Sequence, residues 1–232
     1  MAGDTEQKSK SQPTSDARSY PFTELAENAG SERHYAPAAA RNTQPILEVL
    51  ASRLPASGHV LELASGTGEH AVSLGRQFPG LTFQPSDPDP VARGSIQAWI
   101  AKTGLSNVMS PIRVDASEPT WERSISPPPV AMLVCNMVHI SPWEATLGLL
   151  RGAAALLPVG GGLFIYGPYS MGGQHTAPTN MAFHNSLVAR NPAWGVRDVD
   201  DISLEAGGHG LELAEIVDMP ANNLILHLRK VD

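Results

Sequence analysis

The segment Glu62-Leu63-Ala64-Ser65-Gly66-Thr67-Gly68 constrains this chain most, because of what stands on either side of it. Before it, His59-Val60-Leu61-Glu62-Leu63 is a short apolar run that reads as a buried strand. After it, Ala71, Val72, Leu74 and Phe78 recur at helical spacing between Glu69 and Phe78. A strand, a small-residue loop and a helix form the front edge of a nucleotide-binding α/β unit. Glycines there let the backbone pass close to a ligand, and the helix N-terminus offers free N–H groups. Gly-x-Gly by itself is common in turns, so the spaced acid matters. Asp87 closes the next strand-like run, Leu81-Thr82-Phe83-Gln84, about 20 residues on, where such folds place the acid that holds a ribose.

Composition narrows the function classes. The 232 residues suffice for one sizeable domain, and 42% hydrophobic with 17% charged residues is ordinary for a soluble enzyme. The net charge is −7, with Lys8, Lys10, Lys102 and Lys230 the only lysines. No basic stripe exists to neutralise a phosphate backbone, so nucleic acid is not an expected partner. The single cysteine, Cys135, excludes an internal disulfide and a cysteine-ligated zinc site, and reads as a small hydrophobe in the run Val130 to Val138. The histidines show no His-x-x-x-His, so no metal is expected, and Gly-x-Ser-x-Gly is absent. No apolar run reaches a membrane span of about 18 residues, and no apolar signal segment opens the chain. The expectation is a cytoplasmic protein of undetermined oligomeric state.

Along the chain, Met1 to Ser19 is Ser-, Lys- and Gln-rich and reads as a disordered tail, which leaves 20–232 as a single domain. Tyr20 to Thr43 is polar and aromatic. A helix is expected from about Thr43, with Pro45 in its first turn. Strands then alternate with helices: Leu81 to Gln84, a helix from Pro90 to Lys102, a strand near Met109 to Val114, a strand Val130 to Met137, a helix Pro142 to Leu157, and a strand Leu163 to Tyr166. Helical patterns between Asn180 and Gly208 are weaker. Leu211 to Met219 and Asn223 to Lys230 are joined only by Pro220-Ala221-Asn222, which demands an antiparallel hairpin.

On these residues the chain resembles the class I methyltransferases that use S-adenosylmethionine (SAM). The strings Leu-Glu-Leu-Ala-Ser-Gly-Thr-Gly-Glu-His (61–70), Gln-Pro-Ser-Asp-Pro-Asp (84–89), Asn-Met-Val-His-Ile-Ser-Pro-Trp (136–143), Tyr-Gly-Pro-Tyr (166–169) and Met-Pro-Ala-Asn-Asn (219–223) resemble more narrowly the methyltransferase-like protein 26 group, also called domain of unknown function 938. The resemblance implies a Rossmann-like sandwich: a seven-stranded, mostly parallel sheet with an antiparallel C-terminal hairpin strand and helices on both faces. It implies SAM as cofactor, S-adenosylhomocysteine (SAH) as product and a small-molecule acceptor. Gly66 and Gly68 would pass the methionine half, Asp87 the ribose, and Asp115 with the Ala116 N–H the adenine. Arg41 would hold the carboxylate. Ala64 stands where the class has a first glycine, so a less contorted backbone is expected there.

Several positions carry two readings. Glu62, penultimate in an apolar strand, either accepts hydrogen bonds from the loop or contacts the ligand. Asp87 could cap the next helix, but Asp89, just before Pro90, is the better cap. Asp115 could be a solvated loop acid. Asn136 and His139 follow a strand where this fold opens its ligand crevice, although a core histidine is the plainer reading of His139. Tyr166, Tyr169, His175, Asn180 and Phe183 straddle the loop after the next strand, with Tyr169 the preferred pocket residue and Gly172-Gly173 a lid hinge. His139 and His175 are the candidate general bases for a hydroxyl acceptor. Trp194 to Asp198 could be a corner in which Arg197 and Asp198 pair. Two rival functions are open to the same residues. A nicotinamide oxidoreductase is disfavoured because Tyr166 is followed four residues later by Ser170 where Tyr-x-x-x-Lys needs lysine. A SAM-binding protein without catalysis would have its pocket plugged by Tyr169 or His139.

Overall fold

The computed structural model describes residues 33–231, so the expected tail Met1 to Ser19 and Tyr20, Phe22, Glu27 and Asn28 lie outside the described residues. The first helix, α1 (Pro37–Leu50), begins six residues before the expected start. Pro37 sits in its first turn, where a missing N–H is harmless, and Ala38-Ala39-Ala40 are the best helix formers. Pro45 therefore falls in the interior and removes the hydrogen bond to the Arg41 carbonyl. The Ala triplet was the signal for the earlier start.

From β1 (Gly58–Leu63) the chain runs through α2 (Glu69–Gln77), β2 (Leu81–Pro85), α3 (Pro90–Thr103), β3 (Ala131–Cys135) and α4 (Trp143–Leu156) to β4 (Gly162–Met171). Asp89 caps α3 by accepting from the Val91 N–H at 2.8 Å, and Gly104 ends it in a left-handed conformation. Then follow β5 (Gln174–His175), α5 (Pro178–Arg190), β6 (Arg197–Asp198), α6 (Val199–Gly207), β7 (Leu211–Met219) and β8 (Asn223–Lys230). The main path orders β2-β1-β3-β4-β8-β7, with β1 to β4 parallel and β8 antiparallel to both β4 and β7. The architecture is the expected α/β sandwich with its C-terminal hairpin.

The sheet has eight strands where seven were expected. The segment from Met109 to Val114 is reduced to two parallel bridges beside β2, Phe83 with Val108 and Ser86 with Ile112. Pro85 and Pro111 each lack a donor, and the Gln84 side chain fills the gap by donating to the Ser110 carbonyl at 2.7 Å. In its place β5 and β6 pair with the last residues of β4. Instead of ending at Tyr166, β4 runs ten residues, to Met171. This extension decides which side chains reach the site.

Each face of the sheet carries its own core. One gathers Ile46, Leu50, Leu74, Leu133, Phe164 and Tyr166 beneath α1 and α2. The other gathers Val134, Leu149, Ile165, Tyr169, Val199 and Ile202 beneath α4 and α6. Alternate β4 residues divide between them, as the period of two requires.

Candidate functional site

At the carboxyl ends of β1, β3 and β4 a cleft of about 600 Å³ opens between the loop after β1, α1 and α5. The loop holds the two strand ends together. The Ser65 N–H donates to the Ser86 carbonyl at 2.9 Å, the Ser86 N–H to Ser65 Oγ at 3.1 Å, and Ser86 Oγ to the Glu62 carbonyl at 2.8 Å. The Gly66 N–H donates to Asp87 Oδ2 at 3.0 Å. These bonds force the backbone through left-handed positions at Ala64, Gly66 and Gly68, with φ of 51°, 58° and 92°.

The two glycines serve different ends. A Cβ at Gly66 would meet nothing within 4 Å, so the space beside it is open to a ligand. A Cβ at Gly68 would come within 2.8 Å of the Ile96 Cα, so Gly68 is there to let α2 and α3 pack. Ala64 corrects the expectation of a relaxed backbone. It is left-handed without being glycine, which costs about 1–2 kcal/mol.

Asp87 is 4% exposed and both its oxygens are engaged, Oδ2 by Gly66 and Oδ1 by the Asp89 N–H at 2.9 Å. Burial pushes its pKa up to about 6, against the pull of those two N–H groups. It thus ties the glycine loop to β2, and each oxygen keeps a lone pair for a further donor. Glu62 lies opposite Leu133, on the sheet face that also carries Cys135 and Tyr166, and does not line the cleft. Burial raises its pKa to about 8, and its Oε2 has no hydrogen-bond partner. His70 lies 4.0 Å away, and burial drives it down to about 4, so desolvation favours the neutral form of both groups. The His70 Nε2 instead meets Asn42 Oδ1 at 2.9 Å.

Arg41 lines the cleft from α1, and Asn136 lines it from the end of β3, left-handed at φ 59°. Asp115 turns its Oδ1 to the N–H and hydroxyl of Ser117, at 2.9 and 2.6 Å. Neither Asp115 nor Ala116 borders the cleft.

Tyr169, His139 and His175 require correction. Because β4 continues past Tyr166, alternation sends Tyr166 and Pro168 to the cleft and Tyr169 to the opposite core, fully buried. Its hydroxyl donates to the Ile165 carbonyl at 3.3 Å. The His139 ring packs edge-on against it, 4.9 Å between centroids, and fills the space a side chain at Gly167 would need. His139 Nδ1 accepts from the Arg197 N–H, and burial lowers its pKa to about 3. His175 stands in β5 with its ring 5.1 Å from His184, away from the cleft lining. Arg197 and Asp198 do not pair with each other. Arg197 donates to the carbonyls of Val138, Ser141 and Ala193, and Asp198 caps α6.

Asn180 and Phe183 do reach the cleft, through α5. Unforeseen lining residues are Ser65, Thr67, His70, Arg190 and the turn at Ala221, where Ala221 and Asn222 are both left-handed. Position 70 ends the glycine string and faces inward one turn into α2, a signal available in the sequence. Arg190 gave none, because α5 has weak periodicity. Among the described residues no group of His, Cys, Asp and Glu could hold a metal ion, and no helix is long and apolar enough to cross a membrane.

The family model described as a protein of unknown function (DUF938) matches residues 33–230, and the chain belongs to that family. Its fold is shared with solved methyltransferases. An O-methyltransferase family protein from Burkholderia thailandensis aligns with a TM-score of 0.68 at 20% identity, over 84% of this chain and 58% of that one. Human N-acetylserotonin methyltransferase, solved with SAM, aligns at 0.66 and 14% identity, over 84% and 53%. An O-methyltransferase family 2 protein from Planctomyces limnophilus, in complex with apigenin, aligns at 0.65 and 17%, over 82% and 61%. This chain thus spans between half and two thirds of the length of those structures.

Proposed function

We propose that this DUF938 protein is a class I methyltransferase that takes SAM in the cleft beside Gly66 and delivers its methyl group to a small organic acceptor. One observation carries the reading: the left-handed loop leaves open space beside the Gly66 backbone, where Gly66 lines the cleft. Of the residues expected to hold the cofactor, Arg41, Gly66 and Asn136 line the cleft and would take the carboxylate and the methionine half, while Asp87, whose Oδ2 holds the Gly66 N–H, would reach the ribose from behind the loop; Glu62, Asp115 and Ala116 stand outside the lining. Gly68 supports the loop from behind by allowing α3 to close on α2.

SAM supplies an activated methyl on a sulfonium, so the protein has mainly to orient the acceptor and keep water out. Tyr166, Pro168, Asn180 and Phe183 form the wall suited to that task. The cleft is open, and neither Tyr169 nor His139 plugs it, which favours an enzyme over a binding module. The small-molecule reading draws support from the apigenin complex of the Planctomyces protein. The strings at 61–70, 136–143 and 219–223 support the narrower assignment to the methyltransferase-like protein 26 group. Scarce lysine argues against nucleic acid, and a cytoplasmic location is part of the same proposal.

Calorimetric titration with SAM and SAH tests the reading, followed by SAH release assays on a panel of small acids, thiols and amines. Absence of both binding heat and a melting shift at millimolar ligand would sink it.

A further inference from the structure

The charges around the cleft are one-sided. Although the chain carries −7 overall, among the described residues the cleft lining includes Arg41 and Arg190 and no aspartate or glutamate. Neither arginine has a carboxylate partner among the described residues. Among the described residues Arg190 holds only the carbonyl of Ser186 within its own helix, through Nε at 3.3 Å, which leaves the rest of its guanidinium donors for another partner. A cleft lined by one sign of charge concentrates ligands of the other sign.

Arg190 belongs to a stripe of α5. Asn180, Phe183, Leu187 and Arg190 follow at spacings of three and four, with Leu187 buried beneath and the other three lining the cleft. Asn180 and Arg190 are about 15 Å apart along the helix, room for a small ring system between them. The walls there are Tyr166, Pro168, Phe183 and Ile140. Asn180 gives Nδ2 to Thr176 Oγ1 and to the Asn222 carbonyl, both at 2.9 Å. Because a carbonyl can only accept, the amide orientation is fixed and Oδ1 is the atom left to meet a donor on a ligand.

No side chain of this lining is poised to take a proton. His70 spends its Nε2 on Asn42 on the glycine-loop side and burial makes it a weak base, burial raises the thiol of Cys135 and the hydroxyl of Tyr166, and His139 and His175 stand outside the cleft. A neutral alcohol or phenol would lack a base here. A carboxylate has already lost its proton.

We propose that the acceptor is a small, ring-bearing organic acid taken up as its anion, drawn in and oriented by Arg190 and methylated on its carboxylate oxygen. This rests on the methyltransferase reading above. The carboxylate oxygen contributes the lone pair of the new O–CH3 bond while the S–CH3 bond breaks with its pair remaining on sulfur. An anion and a sulfonium cation become a neutral ester and a neutral thioether, and no proton moves.

The test pairs acids with neutral isosteres: benzoate, phenylacetate and indole-3-acetate against benzamide, phenylacetamide and indole-3-acetamide. Binding is measured by calorimetry with and without SAH, and turnover by SAH release. At least one acid is expected to bind ten times more tightly than its amide and to yield its methyl ester. In Arg190→Ala the acid's KM should rise tenfold or more with SAH affinity within twofold, and Arg190→Lys should recover part of the loss. Amides matching or outdoing every acid, or an acid preference that survives in Arg190→Ala, would overturn the proposal. If SAH itself fails to bind, the methyltransferase reading falls, and the acid–amide comparison without SAH still decides the anion preference of the cleft.

Discussion

The two sides of the cleft are built on different principles. The glycine-loop side is a closed lattice in which Ser65, Ser86 and Asp87 spend their polar groups on one another's backbone or on that of neighbouring segments, Thr67 Oγ1 donates to Glu69 Oε2 at 2.9 Å, and Ser95 Oγ reaches the Thr67 carbonyl at 2.7 Å. The α5 side is fastened lightly. Asn180 holds the 219–223 turn and Leu187 is buried, while Met181, Phe183 and Val188 are each at least a third exposed. A buried polar network fixes one geometry because any unmade bond costs its full desolvation. An exposed helix face can change side chains without disturbing the fold. On the proposed reading, rigidity sits where the cofactor would bind and variability where the acceptor would.

Breaking the rigid side should produce the largest effect. Gly68→Ala forces a Cβ against the α3 backbone at a left-handed position, and should cost about 3 kcal/mol or more. Gly66→Ala meets open space and should cost only about 1 kcal/mol, yet lose most SAH affinity. Thermal melting and calorimetry on both variants check this. Equal destabilisation of the two would contradict the division of labour between them.

Asp87→Ala comes next. It strands the N–H groups of Gly66 and Asp89, so stability should fall by about 1–3 kcal/mol, with SAH affinity falling alongside. A variant as stable as wild type would show that water replaces the carboxylate and that the loop is not held by Asp87.

The third effect depends on pH. Glu62 has a folded pKa of about 8, raised above its ordinary value near 4.5. Between those values the folded state binds more protons than the unfolded one, so stability should decline as pH rises from 5 to 8, by at most about 1.4 kcal/mol per pH unit from this group. Glu62→Gln should flatten that decline and melt higher than wild type at pH 8 without ligand. His70, lowered to about 4, works in the opposite direction, removing stability as pH falls from 6.5 toward 4. Parallel melting curves of wild type and Glu62→Gln across pH 5–8 would disprove the buried proton.

The smallest effects belong outside both sides. Tyr169→Phe deletes one long hydrogen bond in the opposite core and should cost about 1 kcal/mol or less, leaving turnover unchanged. A hundredfold loss of turnover with intact melting would return Tyr169 to the acceptor site. Deleting Met1 to Ser19, whose composition offers nothing to bury, should change neither melting temperature nor SAH affinity.

Much of this protein is written locally. The run His59 to Leu63, the small-residue loop, the cap at Asp89 and the three-residue link of the C-terminal hairpin dictated their own geometry, because strand alternation, capping and turn length act over a few residues. They sufficed for the sandwich and for the loop that Gly66 and Asp87 build. Tertiary structure decided what depends on partners far along the chain. How far β4 extends is set by pairing with β8 from Gly162 to Pro168 and with β5 and β6 beyond it, and that length alone turns Tyr166 into the cleft and Tyr169 into the opposite core. The burial that raises the Glu62 pKa and the placing of Arg190 at the cleft likewise arise only once the strands and α5 close around them. Burial and long-range pairing are properties of the assembled chain, and no window of sequence contains them.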